Sequence, residues 1–334
     1  MNSLFISDSN RKITEVGLSC SSAKLMPIGS ILLCTRATIG ELAIAEKPMA
    51  TNQGFKNLVC KPDVNNIYFA YLLMTLKPEM IKRAIGTTFL EISKTELGDI
   101  DVMLPSFPEQ EAIAETITAF DTHIENLSAL IEKKRAIRDG ALEDLISGRT
   151  RLEGFGGKVT ETVLLGSLQE VKRGKRLVRS QLYRNGKFPV YQNSLEPLGY
   201  YDEANCLAES AFVIAAGNAG DIGFSETAFW AADDCYYFEH SEDLCQKYLY
   251  YSLLYKQSNI YTQTRRTSIP RLSRDILEKI PLLFPHVKEQ EAIASVLTSM
   301  DEEITALEAE RDKIAQIREG VMDDLLTGRV RLKV

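Results

Sequence analysis

Two stretches of the chain carry an apolar residue at every third or fourth position and charged residues at most positions between. The apolar residues of the first stretch are Ile113, Ile117, Phe120, Ile124, Leu127 and Ile131. The second stretch repeats the spacing with Ile293, Leu297, Met300, Ile304 and Leu307. This spacing predicts two helices that each bear one narrow apolar seam, as in a coiled coil.

The two stretches are copies of one sequence. Residues 109–152 and 289–332 align without a gap, and 289 minus 109 gives an offset of 180. A proline precedes each copy and a glycine follows it: Pro105 and Pro285, Gly148 and Gly328. These boundaries predict helices of about 38 residues, which is roughly 57 Å at 1.5 Å per residue.

The seams differ at one place, where the first has Ile131 and Lys134 and the second has Arg311 and Ile314. Such differences favour pairing between the unlike copies over self-association. We therefore predict that the two helices pack together as an antiparallel coiled coil. The alternative is that each helix packs only on its own globular domain. Gly140 and Gly320 lie inside the helices, which predicts a close backbone approach or a kink there.

The offset of 180 extends into the regions that precede the helices. It aligns Gly40 with Gly220, Tyr68 with Tyr248, Thr87 with Thr267, Ser93 with Ser273, Leu97 with Leu277 and Pro105 with Pro285. The predicted fold class is therefore α/β, with one unit used twice, each an α/β domain followed by a long helix. The predicted boundaries are 1–105, 106–153, 154–285 and 286–334.

Local patterns give the predicted elements of the two domains. Residues 30–46 read as two short strands about a turn at Gly40, residues 67–77 as a helix stopped by Pro78, and residues 86–93 as a loop. Residue 1 aligns with residue 181, so the first domain has no counterpart of residues 159–180. That segment contains a predicted strand, Val163 to Leu165, and then five basic residues: Lys172, Arg173, Lys175, Arg176 and Arg179.

Composition indicates a soluble globular protein with two domains. The chain has 334 residues and a net charge of -7, and the two helical regions, 106–155 and 286–334, each carry -4. No apolar run is long enough to cross a membrane, and the start lacks the pattern of a signal peptide, so the expected location is the cytoplasm. The six cysteines form no CxxC pair, and they are expected to be buried thiols.

Charge is segregated along the second domain. Residues 158–187 hold 8 basic and 2 acidic residues, residues 188–246 hold 11 acidic and no basic ones, and residues 247–279 hold 7 basic and 2 acidic ones. If the two basic runs meet in the fold, they form a surface suited to phosphates. The alternative is that they are unconnected solvated loops.

Several side chains of the kind that read DNA lie near these runs. Arginine grips phosphate or guanine, hydroxyl groups reach base or phosphate, and amides can read adenine. In the second domain the candidates are Arg265, Arg266, Thr267, Ser268 and Arg271, with Gln192, Asn193 and Asn218. In the first domain they are Arg36, Thr87, Thr88 and Lys94.

Catalytic signals are weak. The glycines of residues 217–223 lack the dinucleotide-binding spacing, and residues 154–160 lack the Lys-Ser or Lys-Thr of a phosphate-binding loop. Asp233 and Asp234 are a candidate metal site for a nuclease, although adjacent carboxylates more often mark an exposed turn. No serine, histidine and aspartate arrangement can be assigned.

The whole pattern resembles the DNA specificity (S) subunits of Type I restriction-modification systems. The resemblance is carried by residues 21–44, 50–58, 86–115 and 271–294. It implies two target recognition domains that read a bipartite DNA target, and a coiled coil that spaces them and docks two methyltransferase subunits. It also implies a non-catalytic chain, with S-adenosylmethionine, ATP and Mg bound only by partners, and restriction subunits joining indirectly.

The chain departs from this family at its start, because complete members begin the first target domain with a segment like residues 159–180. Reading of DNA by the second domain is therefore better supported than reading by the first. The alternative function is a scaffold or decoy that binds methyltransferase subunits without productive DNA recognition.

Overall fold

The structure, a computed structural model, describes residues 4–86, 89–156, 160–183, 186–264 and 270–333. The chain divides into two compact units. The first unit comprises Met1–Ala129 and Glu308–Val334, and the second comprises Leu130–Leu307. Each unit therefore contains one α/β region, the beginning of one long helix and the end of the other.

The elements that begin in the first α/β region are short, except for the long helix that follows them. In chain order they are β1 (Phe5–Ile6), α1 (Glu15–Ser19), β2 (Leu25–Met26), β3 (Ile31–Cys34), β4 (Leu42–Ala45), β5 (Met49–Ala50), β6 (Phe55–Leu58), α2 (Asn66–Thr75), α3 (Lys77–Arg83), α4 (Lys94–Gly98) and the long helix α5 (Phe107–Ser147).

The remaining elements begin in the second α/β region. They are β7 (Glu161–Leu164), α6 (Leu165–Leu168), β8 (Val171–Arg173), β9 (Phe188–Tyr191), β10 (Gly199–Tyr201), β11 (Ser210–Ile214), β12 (Ile222–Ser225), β13 (Trp230–Ala231), β14 (Cys235–Phe238), α7 (Gln246–Gln263), α8 (Arg274–Glu278), β15 (Pro281–Phe284) and the long helix α9 (Val287–Leu326).

The first unit contains a four-stranded sheet in the order β1-β4-β3-β6. β3 runs antiparallel to β4 and β6, and every residue of β3 and β4 is buried. The predicted strand pair about Gly40 is confirmed, with Gly40 in the left-handed region at φ 87°. The prediction that Pro78 ends the helix is wrong: α2 ends at Thr75, and Pro78 lies in the first turn of α3, where a missing N–H costs nothing.

The second unit repeats three strands of this sheet and adds its fourth strand, β8, at the edge opposite to the one that β1 occupies in the first unit. Its four strands have the order β12-β11-β14-β8, and β11, β12 and β14 lie 180 residues after β3, β4 and β6. β9, β10 and β13 form a three-stranded sheet, and β15 pairs with β7. The predicted strand near Val163 is present as β7, which ends at Leu164, so Leu165 belongs to α6 instead.

The long helices run antiparallel to each other, as predicted. In the first unit, Ile113 and Ile117 near the start of α5 pack with Leu325 and Leu326 at the end of α9. In the second unit, Leu145 at the end of α5 packs with Ile293 and Leu297 near the start of α9. Each helix also contacts the α/β region of its unit. All the predicted seam residues, including Ile314, are buried or half-buried.

A polar cluster links α5 and α9 in each unit, and the two clusters are related by the offset of 180. Asp121 accepts hydrogen bonds from Tyr71 at 2.6 Å and from Arg318 at 2.8 Å. In the second unit Asp301 accepts one from Tyr251 at 2.8 Å and lies 3.2 Å from Arg138. Polar contacts at the same helical level set the register of the two helices.

The Glu-Gln pair at the start of each long helix makes the same contacts in both units. Glu109 is buried against Arg331 at 2.6 Å, and this guanidinium lowers the pKa of the Glu109 carboxyl. Gln110 accepts the backbone N–H of Asn65 at 2.9 Å. Glu289 with Arg151, and Gln290 with the N–H of Cys245, make the same contacts in the second unit.

The predicted close approach at Gly140 and Gly320 is wrong, because a Cβ added at either position meets nothing within 4 Å.

Both glycines lie inside uninterrupted helices, so replacing each with alanine should stabilise the protein by about 1 kcal/mol. Denaturant unfolding measures this change. Gly148→Ala is the control and should destabilise, because Gly148 has φ 74° and its Cβ would lie 2.7 Å from Leu283. A loss of stability on Gly140→Ala would contradict the open helix surface.

Among the helices formed by the described residues, none combines the length and apolar character needed to span a membrane.

Candidate nucleic-acid interface

The basic run that follows residue 171 is only partly available to a ligand. Its first two members lie on the edge strand β8, which pairs with β14. Lys172 is ion-paired with Glu239, whose hydrogen bond raises the pKa of the lysine. Arg173 donates to the carbonyl of Asp233 at 2.6 Å and lies 3.7 Å from the Asp234 carboxylate. These two side chains therefore have acidic partners within the domain.

The last three members of the run point into solvent. Lys175, Arg176 and Arg179 are exposed, and they have no ion-pair partner in the part of the chain that the structure describes. Between them Leu177 is buried against Val190 and Ala232, which fixes the segment to the domain. Unpaired cations on an anchored segment are suited to backbone phosphates.

Gly174 allows this segment to lie directly on the neighbouring strands. Its N–H donates to the carbonyl of Cys235 at 2.9 Å, and a Cβ at this position would lie 2.1 Å from the carbonyl oxygen of Ala232. Trp230 donates its indole N–H to the carbonyl of Lys175 at 2.9 Å. The path of the basic residues is thus set by contacts that leave no room for a side chain at residue 174.

Three loops of the second unit meet at Gly217, which has φ 86°. The N–H of Gly217 donates to the carbonyl of Pro270 at 3.2 Å, and that of Asn218 donates to the carbonyl of Asn193 at 3.0 Å. A bridge between Ala216 and Arg271 completes the junction. Asn193, Asn218 and Arg271 are all exposed, so the fold brings three of the predicted base readers together.

The basic segment and this junction share one surface. Arg176, Arg179, Gln192 and Asn193 line a cleft of about 410 Å³ together with Asp233 and Asp234. Tyr191, the last residue of β9 before Gln192 and Asn193, stacks on Phe212 with ring centroids 4.5 Å apart. The two aspartates were the candidate metal site, and in the described residues no group of three potential ligands forms around them.

Four predicted readers, Arg265, Arg266, Thr267 and Ser268, lie outside the described residues. The helix that leads to them is anchored at its last turn. Tyr261 donates to Asp221 at 2.7 Å, and burial together with this hydrogen bond raises the pKa of Tyr261 to about 12. Arg271 is the member of the group that the structure places at the junction.

The first unit repeats two of these backbone contacts with different side chains, whereas the N–H of Thr38 donates to the carbonyl of Arg36 and not to the counterpart of Asn193. The N–H of Ala37 donates to the carbonyl of Leu90 at 3.2 Å, as Gly217 does to Pro270. Arg36 lies 4.0 Å from Glu91 and 6.0 Å from the Phe89 ring. Lys94 is exposed at the start of α4, and Thr87 and Thr88 lie outside the described residues.

The offset makes this difference explicit. The positions of Asn193, Asn218 and Arg271 correspond to those of Ile13, Thr38 and Glu91. Two units that share backbone contacts but differ in the side chains beside them are suited to reading two unlike sequences.

Two exposed aromatic residues beside Arg179 were not among the predicted residues. Tyr183 and Tyr200 line a second cleft with Arg179, of about 560 Å³. The signal available in the sequence was the aromatic Tyr183 four residues after Arg179, because aromatic rings beside basic side chains are typical of surfaces that contact nucleic acid. Gly174 was also missed, because its role depends on strands that lie about 60 residues further along the chain.

Comparison with known proteins gives one consistent family. The model of the Type I restriction modification DNA specificity domain matches residues 2–133 and 158–318. The chain is similar to the MjaIX specificity subunit of a Methanocaldococcus jannaschii Type I restriction enzyme, with 25% identity over 99% of this chain and 84% of the relative. A putative Type I specificity subunit of Mycoplasma genitalium is also 25% identical, over 89% of this chain and 80% of the relative.

Solved structures show the same fold. The crystal structure of the S subunit of a Type I restriction-modification system from M. genitalium matches with a TM-score of 0.69 and 23% identity, over 91% of this chain and 84% of that one. A chain from a study of the assembly and conformational transition of a Type I system matches with a TM-score of 0.58 and 13% identity, over 93% of this chain and 85% of that one.

Proposed function

Because the chain belongs to the family of Type I restriction modification DNA specificity domains, we propose that each of its two units reads one half of a bipartite DNA target. The chain is a specificity subunit, and it gives a Type I system its DNA sequence specificity. The observation that carries the bipartite reading is that both units repeat two backbone contacts with unlike side chains beside them, Asn218 and Arg271 against Thr38 and Glu91.

In the second unit, one set of side chains would contact DNA phosphates and a different set would contact base edges. Lys175, Arg176 and Arg179 are cations on an anchored backbone, which position a duplex without reading it. Asn193, Asn218 and Arg271 have the planar amide and guanidinium groups that pair with base edges in the major groove. The 410 Å³ cleft places Asn193 beside Arg176 and Arg179, so one duplex can meet both sets.

The partners are DNA and the other subunits of a Type I complex. We propose that two methyltransferase subunits bind the long helices, because the two helices carry the same polar cluster twice. Each helical region also carries a net charge of -4. Restriction subunits would join through them. The chain itself is proposed to be non-catalytic, with S-adenosylmethionine, ATP and Mg bound by the partner subunits.

A scaffold or decoy that holds methyltransferase subunits without productive reading is the second candidate. One observation favours it: in the first unit Glu91 lies 4.0 Å from Arg36 and 3.6 Å from Lys56, which offsets the positive charge at the junction.

The salt dependence of DNA binding tests the phosphate contacts. In a complex with a methyltransferase subunit, changing Lys175, Arg176 and Arg179 to alanine should reduce the slope of log K against log salt by about 3. The control changes Lys12, Lys82 and Lys279 to alanine, whose side chains are 69%, 79% and 75% exposed. If the salt slope of the first variant is unchanged, or if the control changes it equally, Lys175, Arg176 and Arg179 do not make the proposed phosphate contacts.

A further inference from the structure

The first unit carries exposed apolar side chains at its counterpart of the arginine-rich loop of the second unit. Ile85 is 77% exposed, Phe89 is 59% exposed and Leu90 is 42% exposed. We call these three residues the apolar tip. Large apolar side chains that are exposed close together mark a binding surface more often than single ones do.

The backbone holds the apolar tip in a fixed place. Ile85 and Glu91 exchange both of their backbone hydrogen bonds at 3.0 Å, which ties together the two ends of this stretch. The next residue, Ile92, is fully buried in the core of the unit. The N–H of Ala37 donates to the carbonyl of Leu90 at 3.2 Å. The apolar tip is therefore displayed from an anchored backbone.

Two positions beside the apolar tip have unusual backbone geometry. Ala37 lies in the left-handed region at φ 63°, where its counterpart Gly217 has φ 86°. A residue with a side chain adopts this region at a cost in free energy, and such strain is concentrated at functional sites. Gly86 has φ 146°, and a Cβ there would lie 2.1 Å from the carbonyl oxygen of Phe89. The path of the chain at the apolar tip therefore requires glycine at residue 86.

Cations lie around the apolar tip. The guanidinium carbon of Arg36 lies 6.0 Å from the centre of the Phe89 ring. Arg36 and Lys56 share the Glu91 carboxylate at 4.0 and 3.6 Å, so these three groups together keep one net positive charge. Lys94 is exposed at the start of α4. An apolar surface edged by cations fits a DNA duplex, in which base edges lie between two rows of phosphates.

The base edges of the major groove offer one apolar group, the 5-methyl group of thymine. Side chains such as phenylalanine contact this methyl group, and cytosine does not have it. Burial of one methyl group favours binding about fourfold. An apolar side chain can therefore distinguish thymine from cytosine without a hydrogen bond.

We propose that the apolar tip reads thymine in the half-site of the first unit, by burying the 5-methyl group of the base against Phe89 and Leu90 in the major groove. This inference rests on the bipartite reading proposed above. Ile85 extends the same apolar surface, and Arg36 and Lys94 contact the phosphates on either side.

The two units would then recognise different chemistry on base edges. The offset of 180 aligns Ile85 with Arg265 and Gly86 with Arg266, whose guanidinium groups are suited to guanine. Both arginines lie outside the described residues, as does Ile269, which aligns with Phe89. In this stretch the first unit has no guanidinium group at either position, so its reading depends on apolar contact.

Uracil in place of thymine tests this contact, because it removes the methyl group and leaves the hydrogen-bonding edge of the base unchanged. The chain in complex with a methyltransferase subunit first selects its target from a random duplex library. The half-site that Arg271→Ala leaves unchanged belongs to the first unit. Replacing the thymines of that half-site one at a time with uracil should weaken binding about fourfold at one position or more.

Matched substitutions show whether the uracil effect depends on the apolar tip. Phe89→Ala should weaken binding to the thymine duplex about fourfold and should then show no further loss with uracil. Phe89→Leu should keep most of the uracil effect, because leucine also presents an apolar surface. Val59→Ala is the control and should keep all of it, because Val59 is 58% exposed at the end of β6 that lies away from Arg36. Equal melting temperatures would show that the losses are not due to unfolding.

The outcomes separate this inference from the bipartite reading. A first half-site whose thymines can all be replaced with uracil at no loss would overturn the methyl contact and leave the bipartite reading intact. A Phe89→Ala variant that keeps the full uracil effect would do the same. Loss of the methyltransferase subunit on Phe89→Ala would make the apolar tip a protein contact instead. A selection that returns only the half-site of the second unit would contradict the bipartite reading and the thymine contact together.

Discussion

Replacing Arg271 with alanine is expected to weaken binding to the cognate DNA by 1 to 3 kcal/mol, or roughly five- to 150-fold. Arg271 is exposed at the junction where Asn193 and Asn218 also meet, and it lies next to the backbone bridge with Ala216. The expectation follows from the proposed bidentate contact of the guanidinium to a guanine edge, which alanine cannot make. The loss should depend on the half-site that the second unit reads. On DNA mutated in that half-site, the Arg271→Ala variant and the unaltered protein should therefore bind with similar affinity.

Equilibrium binding of the assembled complex to cognate DNA and to each half-site mutant measures this effect. Arg274→Ala is the control, because Arg274 lies three residues away, is 49% exposed, and forms an ion pair with Glu278 at 2.6 Å. It should change affinity by less than about twofold. Equal losses on both half-sites would show that Arg271 contacts phosphate only, and no loss would remove it from the interface.

Replacing Gly174 with alanine is expected to destabilise the second unit by about 3 kcal/mol or more and to disrupt the basic segment. The added Cβ would lie 2.1 Å from the carbonyl oxygen of Ala232 and 2.4 Å from that of Ala231. These backbone atoms cannot move easily, because both alanines are fully buried and Ala231 lies in β13. The segment must shift instead, which breaks the hydrogen bond between Trp230 and Lys175.

Denaturant unfolding and the fluorescence of Trp230, the single tryptophan, report the two consequences together. Gly98→Ala is the matched control, because a Cβ at Gly98 meets nothing within 4 Å. A Gly174→Ala variant with the stability and fluorescence of the unaltered protein would show that the basic segment does not lie against Ala231 and Ala232.

The long helices and the repeat were predictable because their signals are local and periodic. The steps from Ile113 to Ile131 identify one helix face, and the copy at 180 residues identifies its partner. The junction was predictable only in part, because Asn193, Asn218 and Arg271 come from separate parts of the chain. Their side-chain chemistry was visible, whereas their meeting depends on backbone bonds such as that between Gly217 and Pro270.

Contacts between distant residues account for what the sequence did not reveal. Lys172 reads as a phosphate contact in a basic run, yet it is paired with Glu239, 67 residues away. The glycine inside the helix at position 140 suggested a close approach, but nothing lies near it. Residue spacing specifies the face of a helix or strand, but it does not specify what covers that face.

The most direct test of the bipartite reading is long-read methylation profiling of cells that express this chain with a cognate methyltransferase subunit, against cells that express the methyltransferase alone. We predict a new two-part methylated motif, with Arg271→Ala relaxing only one part of it. The absence of any new motif would contradict the bipartite reading and favour the scaffold.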